Sequence, residues 1–167
     1  PMQNPFTLTF GKSPLEPVER PLQTMEIVDT FTAETVNQQM FIITGVQGSG
    51  KTVMMTEIAR RLREREDWVV IELNPATDLL QGMLAKLNSN KVCAAIIKSA
   101  KIDLSFFGFG VAIEGVPPLT DTETAIITIL EKLKKQDKRL LITIDEVTNN
   151  DYMKVFAGSF QIFVRQD

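Results

Sequence analysis

The chain contains no histidine and only one cysteine in its 167 residues. Without histidine there is no Ser-His-Asp type of catalytic machinery and no zinc site that relies on imidazole, so catalysis must rest on carboxylates, lysine or a bound cation. A lone cysteine makes no internal disulfide, which fits a reducing compartment. Cys93 has no evident cationic neighbour and reads as a small buried hydrophobe. Long apolar runs are missing too: the greasiest stretches, 92–97 and 104–113, fall well short of the roughly 20 residues a membrane-spanning helix needs, and no basic-then-apolar leader opens the chain. A cytoplasmic protein without a membrane partner is the expectation. With 18 Lys and Arg against 21 Asp and Glu, the net charge of -3 supplies no bulk attraction to nucleic acid.

What remains is ordinary globular composition, 44% hydrophobic and 23% charged, sufficient for one domain with a real core. Pro1, Pro5, Pro14, Pro17 and Pro21 make the first 21 residues an extended arm without regular structure. Leu22, Met25, Ile27, Val28 and Phe31 then fall at helical spacing, so residues 1–36 read as arm plus linker helix and 37–167 as the core. Along that core the pattern predicts a buried strand at 40–44, a helix over 51–66 with Met54, Met55, Ile58, Ala59 and Leu62 inward, and a strand at 68–73. Asn74-Pro75 is read as the cap and first turn of a helix over 76–87. A helix at 92–100 and a bent strand or hairpin at 104–116 follow, within an insertion spanning about 88–118. Thr120 and Glu123 form a capping box for a helix to Gln136; a strand at 140–144 and a helix over 150–164, with Tyr152, Val155, Phe156, Phe160 and Phe163 inward, complete the pattern. Such alternation implies a three-layer α/β/α sandwich with a mainly parallel sheet.

Two clusters of cations stand out. Arg60, Arg61, Arg63 and Arg65 are interleaved with Glu57, Glu64, Glu66 and Asp67, as on a solvated face laced with ion pairs. Lys132, Lys134, Lys135, Lys138 and Arg139 gather where they suit a helix C-terminus. A DNA-binding reading would have to rest on these.

The strongest signal is Gly45 to Thr52, GVQGSGKT, which fits glycine, four residues, then Gly-Lys-Thr, between a buried strand and a helix. Gly45, Gly48 and Gly50 permit backbone geometries that turn successive N–H groups onto a phosphate. The following helix adds its positive end. Lys51 reaches the β- and γ-phosphates and the Thr52 hydroxyl is placed to hold Mg²⁺. The whole run Gly45, Val46, Gln47, Gly48, Ser49, Gly50, Lys51, Thr52 and Val53 is therefore the candidate nucleotide contact, with Lys51 also catalytic. In LLITIDEV, a buried strand delivers Asp145 to the carboxyl edge of the sheet to hold Mg²⁺ through water, and Glu146 beside it to orient and deprotonate an attacking water.

With these residues the chain resembles a P-loop ATPase of the AAA+ superfamily, of the initiator-like and signalling kind. The resemblance rests on GVQGSGKT, on LLITIDEV and on PLEPVERPLQTMEIVDTF, which is similar to the family's N-terminal linker, with Val18, Glu19 and Arg20 at the place of its adenine contacts and Glu where Gly is common. It implies ATP as substrate, Mg²⁺ as cofactor and a cycle that drives conformational or assembly change. The family also has a strand between the two motif strands, a γ-phosphate sensor, an arginine finger and a helical lid. The stretch to Asp167 resembles only the front of such a domain, so the resemblance implies slow hydrolysis and a sheet incomplete toward its C-terminus. The gap is expected to be closed by exchange with a second chain, by a different strand order, or by residues elsewhere. An ATP-gated DNA-binding module of the initiator or transposition-accessory type is the alternative. A small-molecule kinase fits less well, because no basic lid is seen.

Overall fold

In the computed structural model, residues 7–9, 40–44, 51–144 and 151–164 are described. Among them, β1 (Thr7–Thr9), β2 (Met40–Thr44), β3 (Trp68–Leu73) and β4 (Arg139–Ile144) form one parallel sheet in the order β1-β2-β4-β3. The helices are α1 (Lys51–Arg63), α2 (Leu79–Ser89), α3 (Lys91–Ser99), α4 (Thr122–Lys135) and α5 (Asp151–Val164). The linker helix expected at 22–36 lies outside the described residues.

Alternate side chains of β2, β3 and β4 feed two separate cores, as a period of two requires. On one face Phe41, Ile43, Trp68, Val70 and Leu141 bury Met54, Met55, Ile58, Ala59 and Leu62 of α1, the inner face the sequence predicts. Phe41 and Trp68 meet there at 5.5 Å between ring centroids. On the other, Met40, Ile42, Val69, Ile71, Leu140 and Ile142 face the apolar sides of α2 to α5, including Met83, Ile96, Ile129 and Phe156. The three-layer α/β/α architecture is therefore as expected. Cys93 sits in this second core, and burial pushes its thiol up to about 12, so it is inert. Among the described residues no helix is long and apolar enough to cross a membrane.

The two motif strands pair directly, from Met40↔Leu140 to Thr44↔Ile144. Of the three ways in which a gap between them could be closed, the structure shows a different strand order: their facing ladders satisfy each other. β1 is a departure from the proline-broken arm, because Thr7–Thr9 lies between prolines and pairs with the edge of β2 from Ile42 to Thr44.

Two helix starts and one buried face also depart from expectation. Asn74 does not cap a helix: its carboxamide oxygen accepts from the Ala76 N–H at 2.9 Å and its carbonyl from the Thr77 N–H at 3.1 Å, a local turn, while Asp78 caps α2 through the N–H groups of Leu80 and Gln81. Asp121, not Thr120, caps α4, its carboxylate accepting from the Thr124 N–H and hydroxyl, both at 2.8 Å. On α5, Phe156 and Phe163 are buried, but Tyr152 and Val155, expected inward, are 47% and 58% exposed, so the buried stripe is narrower than the apolar one.

α3 and α4 both end without glycine. Lys101 (φ 56°) and Asp137 (φ 57°) take the left-handed conformation, and the Ile102 and Lys138 N–H groups reach back to the carbonyls of Ile97 and Leu133. A lysine there carries strain of about 1–2 kcal/mol that glycine lacks, offset in part by glycine's larger unfolded-state entropy. Lys101→Gly is expected to raise stability by about 0.5–1 kcal/mol, seen as a higher urea midpoint at unchanged slope; a lower midpoint would show that the lysine is otherwise anchored.

Candidate functional site

The elements that frame the two motifs come from neighbouring strands. Thr44, the last residue of β2, and Ile144, the last of β4, are register partners in adjacent parallel strands. The two strands thus end side by side at the same edge of the sheet, about 5 Å apart. Gly45, Val46, Gln47, Gly48, Ser49 and Gly50, together with Asp145 and Glu146, lie outside the described residues. Lys51 and Thr52 open α1, their side chains outside the described set, and Val53 is exposed. The contacts of Met54, Met55, Ile58 and Leu62 with Phe41 and Ile43 clamp α1 against the strand that precedes the glycine-rich turn.

The start of α1 suits an anion. No acidic residue occupies its first turn, so no carboxylate on that turn opposes the positive end of the helix. The opposite end is charge-balanced. Glu57 holds Arg60 at 2.6 Å and Arg61 at 2.8 Å, Arg60 also reaches Glu64, Arg63 pairs with Glu72, and Arg65 with Asp67. Hydrogen bonds from Arg60 and then Arg61 bring the Glu57 carboxyl down to about 2. All four arginines of the cluster therefore have carboxylate partners, as a solvated face should. Beneath the sheet, Lys138 Nζ donates to the Glu66 carbonyl at 3.0 Å and the Arg139 N–H to that of Asp67 at 2.8 Å, tying the starts of β3 and β4 together.

On the other side of the motif strands, α5 is tied to α4 by a hydrogen bond from the Ser159 hydroxyl, buried, to the Glu123 carboxylate. This fixes the helix that follows the Asp-Glu motif, a contact the sequence reading missed because it joins two residues far apart in the chain.

Asp103 was missed as well. It is 2% exposed, and its carboxylate accepts from the Ser105 hydroxyl at 2.6 Å, the Ser105 N–H at 2.9 Å and the Ile113 N–H at 2.9 Å. Its own carbonyl accepts from the Leu119 N–H, so residues 103–119 form a loop whose ends meet. The bent strand or hairpin expected at 104–116 is absent. A single turn of 3-10 helix, Ser105–Phe107, and left-handed Gly108, Gly110 and Gly115 replace it. The Asp-x-Ser spacing was the available signal, since Asp commonly bonds backbone two residues on.

With the geometry in place, the class is clear: a mainly parallel α/β sandwich of the P-loop nucleotide-hydrolase type. Residues 25–160 match the model of a family described as an ATPase domain predominantly from Archaea, and the chain belongs to that family. ATP binding and ATPase chemistry follow as its general activity. No curated protein and no solved structure matches the chain.

The bonds to Asp103, first from the Ser105 hydroxyl, then from the N–H groups of Ile113 and Ser105, hold its carboxyl below the usual range. A group depressed in this way stabilises the fold fully above its unfolded value, about 4, and loses that contribution as pH falls through the folded one. Asp103→Asn is therefore expected to melt below wild type at neutral pH, with the difference shrinking once pH drops under about 4. A gap between the two Tm curves that stays constant down to pH ~2.5 would contradict this assignment.

Proposed function

We propose that this chain is the nucleotide-binding part of a Mg²⁺-dependent ATPase with an AAA+-like site, in which ATP turnover drives a conformational or assembly change. The observation that carries the reading is the register of Thr44 with Ile144, from which GVQGSGKT and Asp145-Glu146 continue at one edge of the sheet. The first turn of α1, which carries no acidic residue, supports a phosphate at that edge.

In this reading the backbone N–H groups of residues 45–50 and the Lys51 ammonium hold the phosphates. The Thr52 hydroxyl and, through water, Asp145 hold Mg²⁺, which supplies charge neutralisation when bound. Glu146 takes the proton of a water aimed at the γ-phosphorus. Val53, which follows the motif, is the last residue of the contacting run. The ATP-gated DNA-binding alternative loses one of its two motivations, because the arginines of α1 are paired with carboxylates. What distinguishes it is DNA binding that weakens steeply with salt.

Lys51→Ala is expected to abolish binding of a fluorescent ATP analogue, whereas Glu146→Gln keeps binding and slows phosphate release on the order of 10²- to 10⁴-fold, the worth of a general base. Unchanged affinity in the first variant would refute the phosphate loop. Unchanged turnover in the second would remove Glu146 from the chemistry.

A further inference from the structure

Among the described side chains of α5, those that are buried are Phe156, Ser159 and Phe163. Their spacing of three and then four residues makes one narrow stripe, and it rests chiefly on α2. Two phenylalanines against an apolar surface bury area without fixing direction, because hydrophobic attraction is non-directional. The serine between them behaves differently. Alanine would serve both packing and helix propensity better, and a serine inside a helix commonly turns its hydroxyl onto a carbonyl of its own preceding turn. Here the Ser159 hydroxyl donates across to Glu123 Oε2 on α4 instead. A hydroxyl-to-carboxylate bond is both directional and charge-assisted.

The acceptor is itself held in place. Asp121 caps α4, Gln81 Nε2 of α2 donates to the Thr122 hydroxyl at 3.0 Å, and Ala125 and Ile126 are fully buried. Adjacent residues of one helical turn, Thr122 and Glu123, thereby brace α4 against α2 on one side and α5 on the other. At the opposite end of the connection, β4 is laddered to both β2 and β3. Residues 145–150 join β4 to α5, and they begin with Asp145 and Glu146. Of these two supports the strand is fixed on both sides, so the seat of α5 is the adjustable one.

On the reading that Asp145 and Glu146 serve ATP cleavage, we propose that Ser159 and Glu123 are positioning residues for that reaction. Their hydrogen bond fixes where α5 sits, and so where the segment bearing the two motif carboxylates is held. The bond lies on the side of the sheet opposite α1, whereas β2 and α1 carry the glycine-rich phosphate motif. Its loss therefore slows chemistry and spares nucleotide affinity, a split that general loosening of the fold would not give.

Two measurements on the 167-residue chain read this split: the single-turnover rate of phosphate release from ATP at saturating Mg²⁺, and the affinity for a fluorescent ATP analogue. Ser159→Ala is expected to slow release by about 10- to 100-fold, the scale of a misplacement on the order of 1 Å, with affinity within about 2-fold of wild type. Glu123→Ala should give the same split, and the double variant should be no slower than either single one, since the same bond is lost in all three. Glu123→Gln keeps an acceptor and should retain most of the wild-type rate. If Ser159→Ala does not fold, the comparison of Glu123→Ala with Glu123→Gln reads the same effect. Release at the wild-type rate in Ser159→Ala, equal losses of rate and affinity, or single variants whose effects simply multiply would each overturn the proposal. A wild type without release that Glu146→Gln slows would instead overturn the ATP-site reading, and the proposal with it.

Discussion

The fold depends on the pairing of β2 with β4. Both strands are interior, both send side chains into two cores, and their ladder runs from Met40↔Leu140 to Thr44↔Ile144. Parallel pairs need crossovers, and parallel crossovers are right-handed. The chain leaves β2, passes over β4 to reach β3, and then returns one position to β4. Moves in opposite directions must put their helices on opposite faces, so α1 covers one side and α2, α3 and α4 the other. The layers follow from strand order and handedness. So does the convergence of the two motif strands at one edge, the edge that precedes α1.

Much of this was legible because hydrophobic burial is a local pattern. MFIIT, WVVIEL and RLLITI are largely apolar runs of strand length, and the inner face of α1 follows from helical spacing alone. GVQGSGKT stands out in the sequence for a different reason: its pattern fixes residue types at fixed spacing. What sequence could not settle was competition. Asn74 and Asp78 are both good caps, and Pro75 made the first look better. In the structure Asn74 is used up in a local turn, leaving Asp78 to cap. At 104–116 the phenylalanines favour strand, yet the left-handed glycines and the bonds to Asp103 form a loop instead, a tertiary override of propensity. β1 was hidden by the prolines around it, since three residues gain strand structure only from a neighbour's edge.

The passage from β3 to β4 is much longer than the connection requires. A parallel crossover needs only about a dozen residues, and the excess here is not an appendage. Leu84, Leu87, Cys93, Ile96, Ile102 and Leu104 all join the same core as the strands. Two helices packed that way cannot be shortened without opening cavities, each deleted large side chain costing about 2–5 kcal/mol. The segment beyond Leu104 is held in a mixed way: Phe107, Phe109 and Leu119 are partly buried against that core, and the bonds to the buried Asp103 carboxylate fix the loop between them. The arrangement leaves the sheet and both motif strands shielded on that face. Residues at the loop tip contribute little to the fold, so exposed apolar side chains there can vary at small cost in stability, a freedom that the buried strands beneath the motifs do not have.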